Sequence, residues 1–169
     1  MGGGAYTVKM YSCSVSSLPN SEARLFGRAS IDPCTLELPL AAVRAKLGFP
    51  SPAEDFQDGA IDLNRYLVRN PAATFLYRAH GNSMLDAGIV SGDVLVVDRS
   101  EQPQDGDIVL AQWEGNAPVC KVLRLRSAHM ELHSCNSQVP PIIIKGECEV
   151  EVFAVVAVAR QVRREHASR

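Results

Sequence analysis

The chain has 169 residues, 46% of them apolar, and a formal charge of -2, which suits one well-packed core and leaves too little for two ordinary domains. No basic stripe runs through its body, so duplex DNA is a poor candidate for a ligand; the arginines at 160, 163, 164 and 169 form only a short basic end, of the kind that is ordinarily solvated. Five cysteines, at 13, 34, 120, 135 and 148, are odd in number and form no C-x-x-C pair, which argues against a zinc site and a disulfide framework and for a reducing cytoplasm. No apolar run approaches the roughly 20 residues of a membrane helix, and residues 1–11 lack the charged and apolar regions of a secretory signal.

Residues 1–35 are rich in Gly, Ser and Pro and show little periodicity, so they are expected to form a flexible arm. Leu36, Leu38, Leu40, Val43 and Leu47 give the next stretch enough apolar surface to dock, and Gly48-Phe49-Pro50-Ser51-Pro52 then breaks any helix. A short helix is predicted over 62–70, with Asp62 as cap, Leu63, Tyr66 and Leu67 on one face and Pro71 closing it. Strands are predicted over 73–79, 94–98, 107–113, 118–126, 130–135, 142–145 and 150–162, separated by turns such as Ser91-Gly92-Asp93 and Glu114-Gly115-Asn116. So many short strands at even spacing predict a compact, mainly β barrel or sandwich. The apolar stretch 152–158 reads equally as core or as interface.

The chemistry rests on two residues. Ser83 lies in Gly81-Asn82-Ser83-Met84, directly after a predicted strand; taken alone it reads as a turn residue. A tight turn there would leave its hydroxyl exposed, with backbone N–H groups nearby that can serve as an oxyanion hole. Lys121 lies in Val119-Cys120-Lys121-Val122-Leu123. Period-two alternation puts it on one face with Val119, Leu123 and Leu125, opposite Cys120, Val122, Arg124 and Arg126. A lysine on an apolar face is costly unless paired or neutral, and a neutral amine beside a serine is a general base. His80, His129, His133 and His166 read as surface or turn histidines, and Cys120 lacks an activating partner.

Several blocks then occur in order: Gly48-Phe49-Pro50-Ser51-Pro52-Ala53, Ile61-Asp62-Leu63-Asn64, Asn70-Pro71-Ala72-Ala73-Thr74, Gly81-Asn82-Ser83-Met84, Asp105-Gly106-Asp107-Ile108-Val109 and Val152-Phe153-Ala154-Val155-Val156. Together they closely resemble the UmuD branch of the LexA-type self-cleaving peptidases, over about residues 47–160. The resemblance implies a compact LexA/UmuD-type domain at 48–169 and an extended N-terminal arm, 1–47, removed by self-cleavage between Leu47 and Gly48. It implies Ser83 as nucleophile, Lys121 as general base, the backbone N–H groups of Asn82 and Ser83 as oxyanion donors, and no cofactor or metal. It also implies a cytoplasmic homodimer, with a RecA filament on single-stranded DNA as promoter of cleavage and a UmuC-type Y-family polymerase as partner of the shortened form in translesion synthesis. Two positions depart from the family pattern: Leu47 stands where Ala or Cys usually precedes the scissile bond, and Asn82 where Asp is common.

The alternative is a LexA-like self-cleaving repressor, but the 47 residues before Gly48 show neither a helix-turn-helix pattern nor a basic cluster. A signal-peptidase-like enzyme would need a membrane anchor, and a non-catalytic polymerase-binding domain would leave Ser83 and Lys121 as bystanders.

Overall fold

The computed structural model describes residues 6–9, 23–29, 37–41, 57–113, 116–145 and 149–162, and at 6–9, 37–41 and 57–60 only their backbone. In chain order the strands are β1 (Tyr6–Lys9), β2 (Ala23–Arg28), β3 (Glu37–Ala41), β4 (Gln57–Asp62), β5 (Thr74–Ala79), β6 (Val94–Asp98), β7 (Ile108–Trp113), β8 (Val119–Leu125), β9 (His129–His133), β10 (Ile142–Lys145) and β11 (Glu149–Ala159). A helix, α1 (Leu63–Leu67), follows β4, and a single 3-10 turn spans Leu85–Ala87. The described residues are mainly β with one short helix, as the strand spacing predicts, and the seven predicted strands are all present within a few residues of their expected ends.

One antiparallel sheet runs in the order β10-β9-β8-β7-β11-β6-β5-β2, with β1 added to β11, while β3 and β4 pair separately. Strand β11 is the longest at 11 residues: its first half pairs with β7 and β1, its second with β6. It therefore borders both halves of the core. One half is built on Val109, Trp113, Leu123, Leu132, Ile144 and Val150, the other on Tyr77, Met84, Leu95, Val97, Leu110 and Phe153. Burying each such large side chain stabilises the fold by roughly 1.5–3 kcal/mol. Of the stretch 152–158, the ambiguity resolves by position: Val152, Phe153 and Ala154 are buried core, whereas Val156 and Val158 are exposed.

Two expectations need correction, and strand β4 lies where none was predicted. The first 35 residues are not devoid of paired structure, because β1 lies against β11 and β2 against β5. In β2 the apolar-polar alternation lasts only from Ala23 to Leu25 before a bulge between Leu25 and Gly27 shifts the register, which hides the strand from a period-two reading. Strand β4, with Asp58 and Gly59, has poor intrinsic strand preference and forms against β3. The helix ends at Leu67 rather than 70: Asp62 caps it, accepting from the Asn64 N–H at 2.9 Å, but Leu63 and Tyr66 are exposed and none of its residues is buried. With no face to bury, a single turn has nothing to extend it.

The far end of β11 fixes the loop that follows Ser83. Arg160 binds the carboxylate of Asp93 through Nε and Nη2, both at 2.6 Å, and donates to the Gly88 carbonyl at 2.5 Å. Asp93, in turn, accepts from the Val90 N–H at 2.9 Å. The Arg160 hydrogen bond holds the Asp93 carboxyl below its ordinary value of 3.8 although burial opposes it. A depressed carboxyl contributes stability that is complete above its unfolded pKa and is lost as pH falls through the folded one. Arg160→Met is therefore expected to lower the melting temperature at pH 7 by several degrees and to weaken the acid-induced loss of stability below about pH 4, both read from melts between pH 2.5 and 7.

Candidate active site

Ser83 is placed by a turn that its neighbours lock from three sides. Strand β5 ends at Ala79, and Gly81, with φ 89°, reverses the chain in a conformation that a side chain would strain. Met84 is buried in the core immediately after Ser83, and its carbonyl accepts from the N–H groups of Ala87 and Ile89 at 3.1 and 3.2 Å. The segment after β9 closes the other side: Asn136 Nδ2 donates to the Asn82 carbonyl at 2.9 Å, and the Asp86 N–H donates to the Cys135 carbonyl at 2.8 Å. Below, the Gly92 N–H donates to Ala79 O at 2.9 Å, tying the turn's exit to the end of β5.

Lys121 is placed by strand pairing. It lies opposite Val109 in β7, and the adjoining β8–β9 pairing matches Leu123 with Leu132. Its side chain is 0% exposed, so the apolar-face reading of β8 holds at the residue that matters. The alternation fails at two others, since Leu125 is exposed and Cys120 is buried. Cys120 packs into the core half containing Met84 and Phe153.

These placements bring the two candidate residues together: Lys121 Nζ lies 2.6 Å from Ser83 Oγ, and it also donates to the Cys120 carbonyl at 3.2 Å. Burial pulls the lysine down from 10.5 to about 8, so the free amine is within reach near neutral pH. The same desolvation pushes the Cys120 thiol up to about 12, which leaves it an inert core residue. Among the described residues, neither the Asn82 nor the Ser83 backbone N–H donates a hydrogen bond.

Other expectations sort themselves around this pair. Ser83 is only 4% exposed rather than open to solvent. Ala23 of β2 lines the pocket at its side, together with Ala79, His80, Met84, Ile89 and Cys120. His80 borders that pocket but is exposed, while His129 and His133 flank Glu131, at 2.8 and 2.7 Å from its two oxygens. Their two hydrogen bonds, with His133 the stronger influence, draw the Glu131 carboxyl down to about 2. Leu47, Gly48 and His166 lie outside the described residues. Sequence reasoning missed Ala23, Asn136, Asp93 and Arg160. Of these Asp93 left a trace as an acid in a turn between two strands and Arg160 as one base of a short basic end, and nothing local distinguishes either from a solvated charge.

Residues 39–157 match the Peptidase S24-like family. The chain is 42% identical to SamA of Salmonella typhimurium over 125 residues, 74% of this chain and 86% of SamA. It is 39% identical to MucA of Escherichia coli over 121 residues, 70% of this chain and 81% of MucA. To ImpA of Escherichia coli it is 53% identical over 85 residues, half of this chain, and it spans 59% of the length of ImpA. The chain belongs to the Peptidase S24-like family, and the resemblance to the UmuD branch of the LexA-type peptidases is borne out.

The buried lysine makes a prediction independent of any reaction. A fall from 10.5 to about 8 corresponds to a folding cost of roughly 3 kcal/mol, at about 1.36 kcal/mol per unit. That cost is complete below the folded value, where the folded protein must either bury an ammonium or release its proton, and it is relieved as pH rises toward 10.5. Lys121→Met is expected to raise stability at pH 7 by about 1–3 kcal/mol. It should also remove the part of the gain between pH 8 and 10 that the wild type shows, as measured by urea unfolding of both proteins across that range.

Proposed function

We propose that the protein is a self-cleaving serine peptidase that cuts its own chain between Leu47 and Gly48, using Ser83 as nucleophile and Lys121 as general base. The observation that carries this reading is the 2.6 Å contact between Ser83 Oγ and a fully buried Lys121 Nζ. The free amine takes the hydroxyl proton as Oγ attacks the Leu47 carbonyl, and the tetrahedral oxyanion is received by the N–H groups of Asn82 and Ser83. The resulting ammonium returns the proton to the Gly48 nitrogen as the C–N bond breaks, leaving an ester on Ser83. Water, deprotonated by the same amine, then hydrolyses that ester and frees Ser83. A substrate bond carried on the same chain is presented at high effective concentration, which supplies much of the rate.

Membership of the Peptidase S24-like family and similarity to ImpA, SamA and MucA support a role in SOS mutagenesis. In this reading the product 48–169 is the accessory subunit of a UmuC-type Y-family translesion polymerase in the cytoplasm, acts as a homodimer, and arises when a RecA filament on single-stranded DNA promotes the cut. Among the described residues no helix is long and apolar enough to cross a membrane.

Purified wild type and Ser83→Ala, incubated between pH 6 and 10 and weighed intact, test the cut. The wild type is expected to lose residues 1–47 and expose a Gly48 N-terminus, about tenfold faster per pH unit until the rate levels near the folded lysine value of about 8. Ser83→Ala should be stable, and Lys121→Met should slow cleavage at least ~100-fold; a flat pH profile, or equal masses for wild type and Ser83→Ala, refutes the mechanism. Leu47→Ala addresses the departure before the scissile bond: a smaller side chain is expected to accelerate cleavage roughly 3- to 30-fold, against ordinary pocket selectivities of about 10–200-fold per step in size, read in the same mass assay.

A further inference from the structure

Strand β2 pairs with β5 along its length but is buried only at its first residue. Ala23 is 3% exposed, while Arg24, Leu25 and Phe26 after it are all exposed. The Ala23 N–H donates to the Pro118 carbonyl at 2.6 Å, and the same residue stands in register with Ala79. Pro118 leads directly into β8 and Lys121, and Ala79 leads into the Ser83 turn. Ala23 therefore bridges the two strands that deliver the two halves of the dyad, and its methyl group faces the pocket containing Ser83.

With Ala23 seated, the cavity left in that pocket is about 20 Å³, room for about one water and not for a leucine side chain. Ser83 is 4% exposed, yet a reacting carbonyl must come within roughly 3–3.5 Å of Oγ. Beyond Ala23 the strand stays paired with β5 as far as Arg28, through a register break between Leu25 and Gly27, but these holdings lie at the surface: Leu25 and Phe26 are more than half exposed, Arg78 stacks on the Phe26 ring, and Arg28 stacks on Phe75. Such an edge strand can leave without opening the core.

We propose that the groove between the end of β5 and the start of β8 receives an extended strand with a small residue at the Ser83 pocket, and that β2 is its resident occupant in the uncut chain, so that Ala23 competes with Leu47 for the nucleophile. This rests on the reading of Ser83 and Lys121 as the cutting pair. It gives the residues before the family-like region a definite role: they keep the peptidase closed until β2 is displaced. Cleavage then requires two events in order, release of Ala23 from the pocket and entry of the bond to be cut.

The test uses the full chain with two separate changes, Ala23→Glu, which cannot be seated in an apolar pocket, and Leu25→Pro, which disrupts β2 at an exposed position. Near-UV circular dichroism of Trp113, the sole tryptophan and a core residue, verifies that each remains folded. In a Ser83→Cys background, early alkylation of position 83 by iodoacetamide, located by peptide mass mapping, is expected to rise at least fivefold in both variants. With Ser83 intact, cutting between Leu47 and Gly48 is expected to accelerate about 3- to 10-fold. Faster alkylation without any cut supports the plug and rejects the Leu47 site, which separates the two readings. Unchanged alkylation in a folded variant overturns the proposal, and so does a wild-type product beginning at Arg24, which would make Ala23 a substrate residue rather than a plug.

Discussion

The arrangement turns on a single buried amine. An ammonium removed from water costs several kcal/mol unless something compensates, and Lys121 meets that cost by moving toward its neutral form in contact with one hydroxyl. The surroundings are organised to hold this state. Strands β7 and β9 flank β8 and fix its register, so the side chain cannot swing to solvent. The turn opposite is anchored by Met84 in the core, by Asn136 across the mouth and by the Arg160 clamp on Asp93 beneath. A loose serine loop would leave the amine without its hydroxyl partner, and a loose β8 would let it hydrate and hold its proton more tightly.

Strand β11 connects these two supports. Its first half closes the core half that contains Trp113, and its second half pairs with β6 and leads into Arg160. Most contacts that matter to the site join residues far apart in sequence: Asn82 with Asn136, Asp93 with Arg160, Ser83 with Lys121. The geometry of the pair is therefore a property of the completed sheet and of no local segment.

That explains which parts could be read from the sequence. Strands such as 94–98 and 142–145 are bounded by turn residues and carry strong apolar content, so they are legible from composition and spacing alone. Lys121 is legible because alternation assigns it a face, and the resemblance supplies Ser83 as its partner. By contrast, β2 and β4 form because a partner strand is available, against weak local preference. Ala23, with only a methyl side chain, carries no chemical signature; its importance comes from where the β5 pairing and the Pro118 carbonyl put it. Asp93 and Arg160 look like a turn acid and a tail base until the fold sets them 2.6 Å apart.

Strands β1, β2 and β3 all lie before Gly48, so a cut there would do more than shorten the chain. Departure of β1 would uncover the outer side of β11 over 149–152, departure of β2 would leave β5 with a single neighbour, and β4 would lose its sole described partner. Each newly bared edge presents a row of unpaired N–H and C=O groups, which readily accept a strand from another chain. Proteolysis would then act as a change of valence: a molecule with edges at β10 and β2 would gain new docking edges on β11, β5 and β4, with no rearrangement of its core.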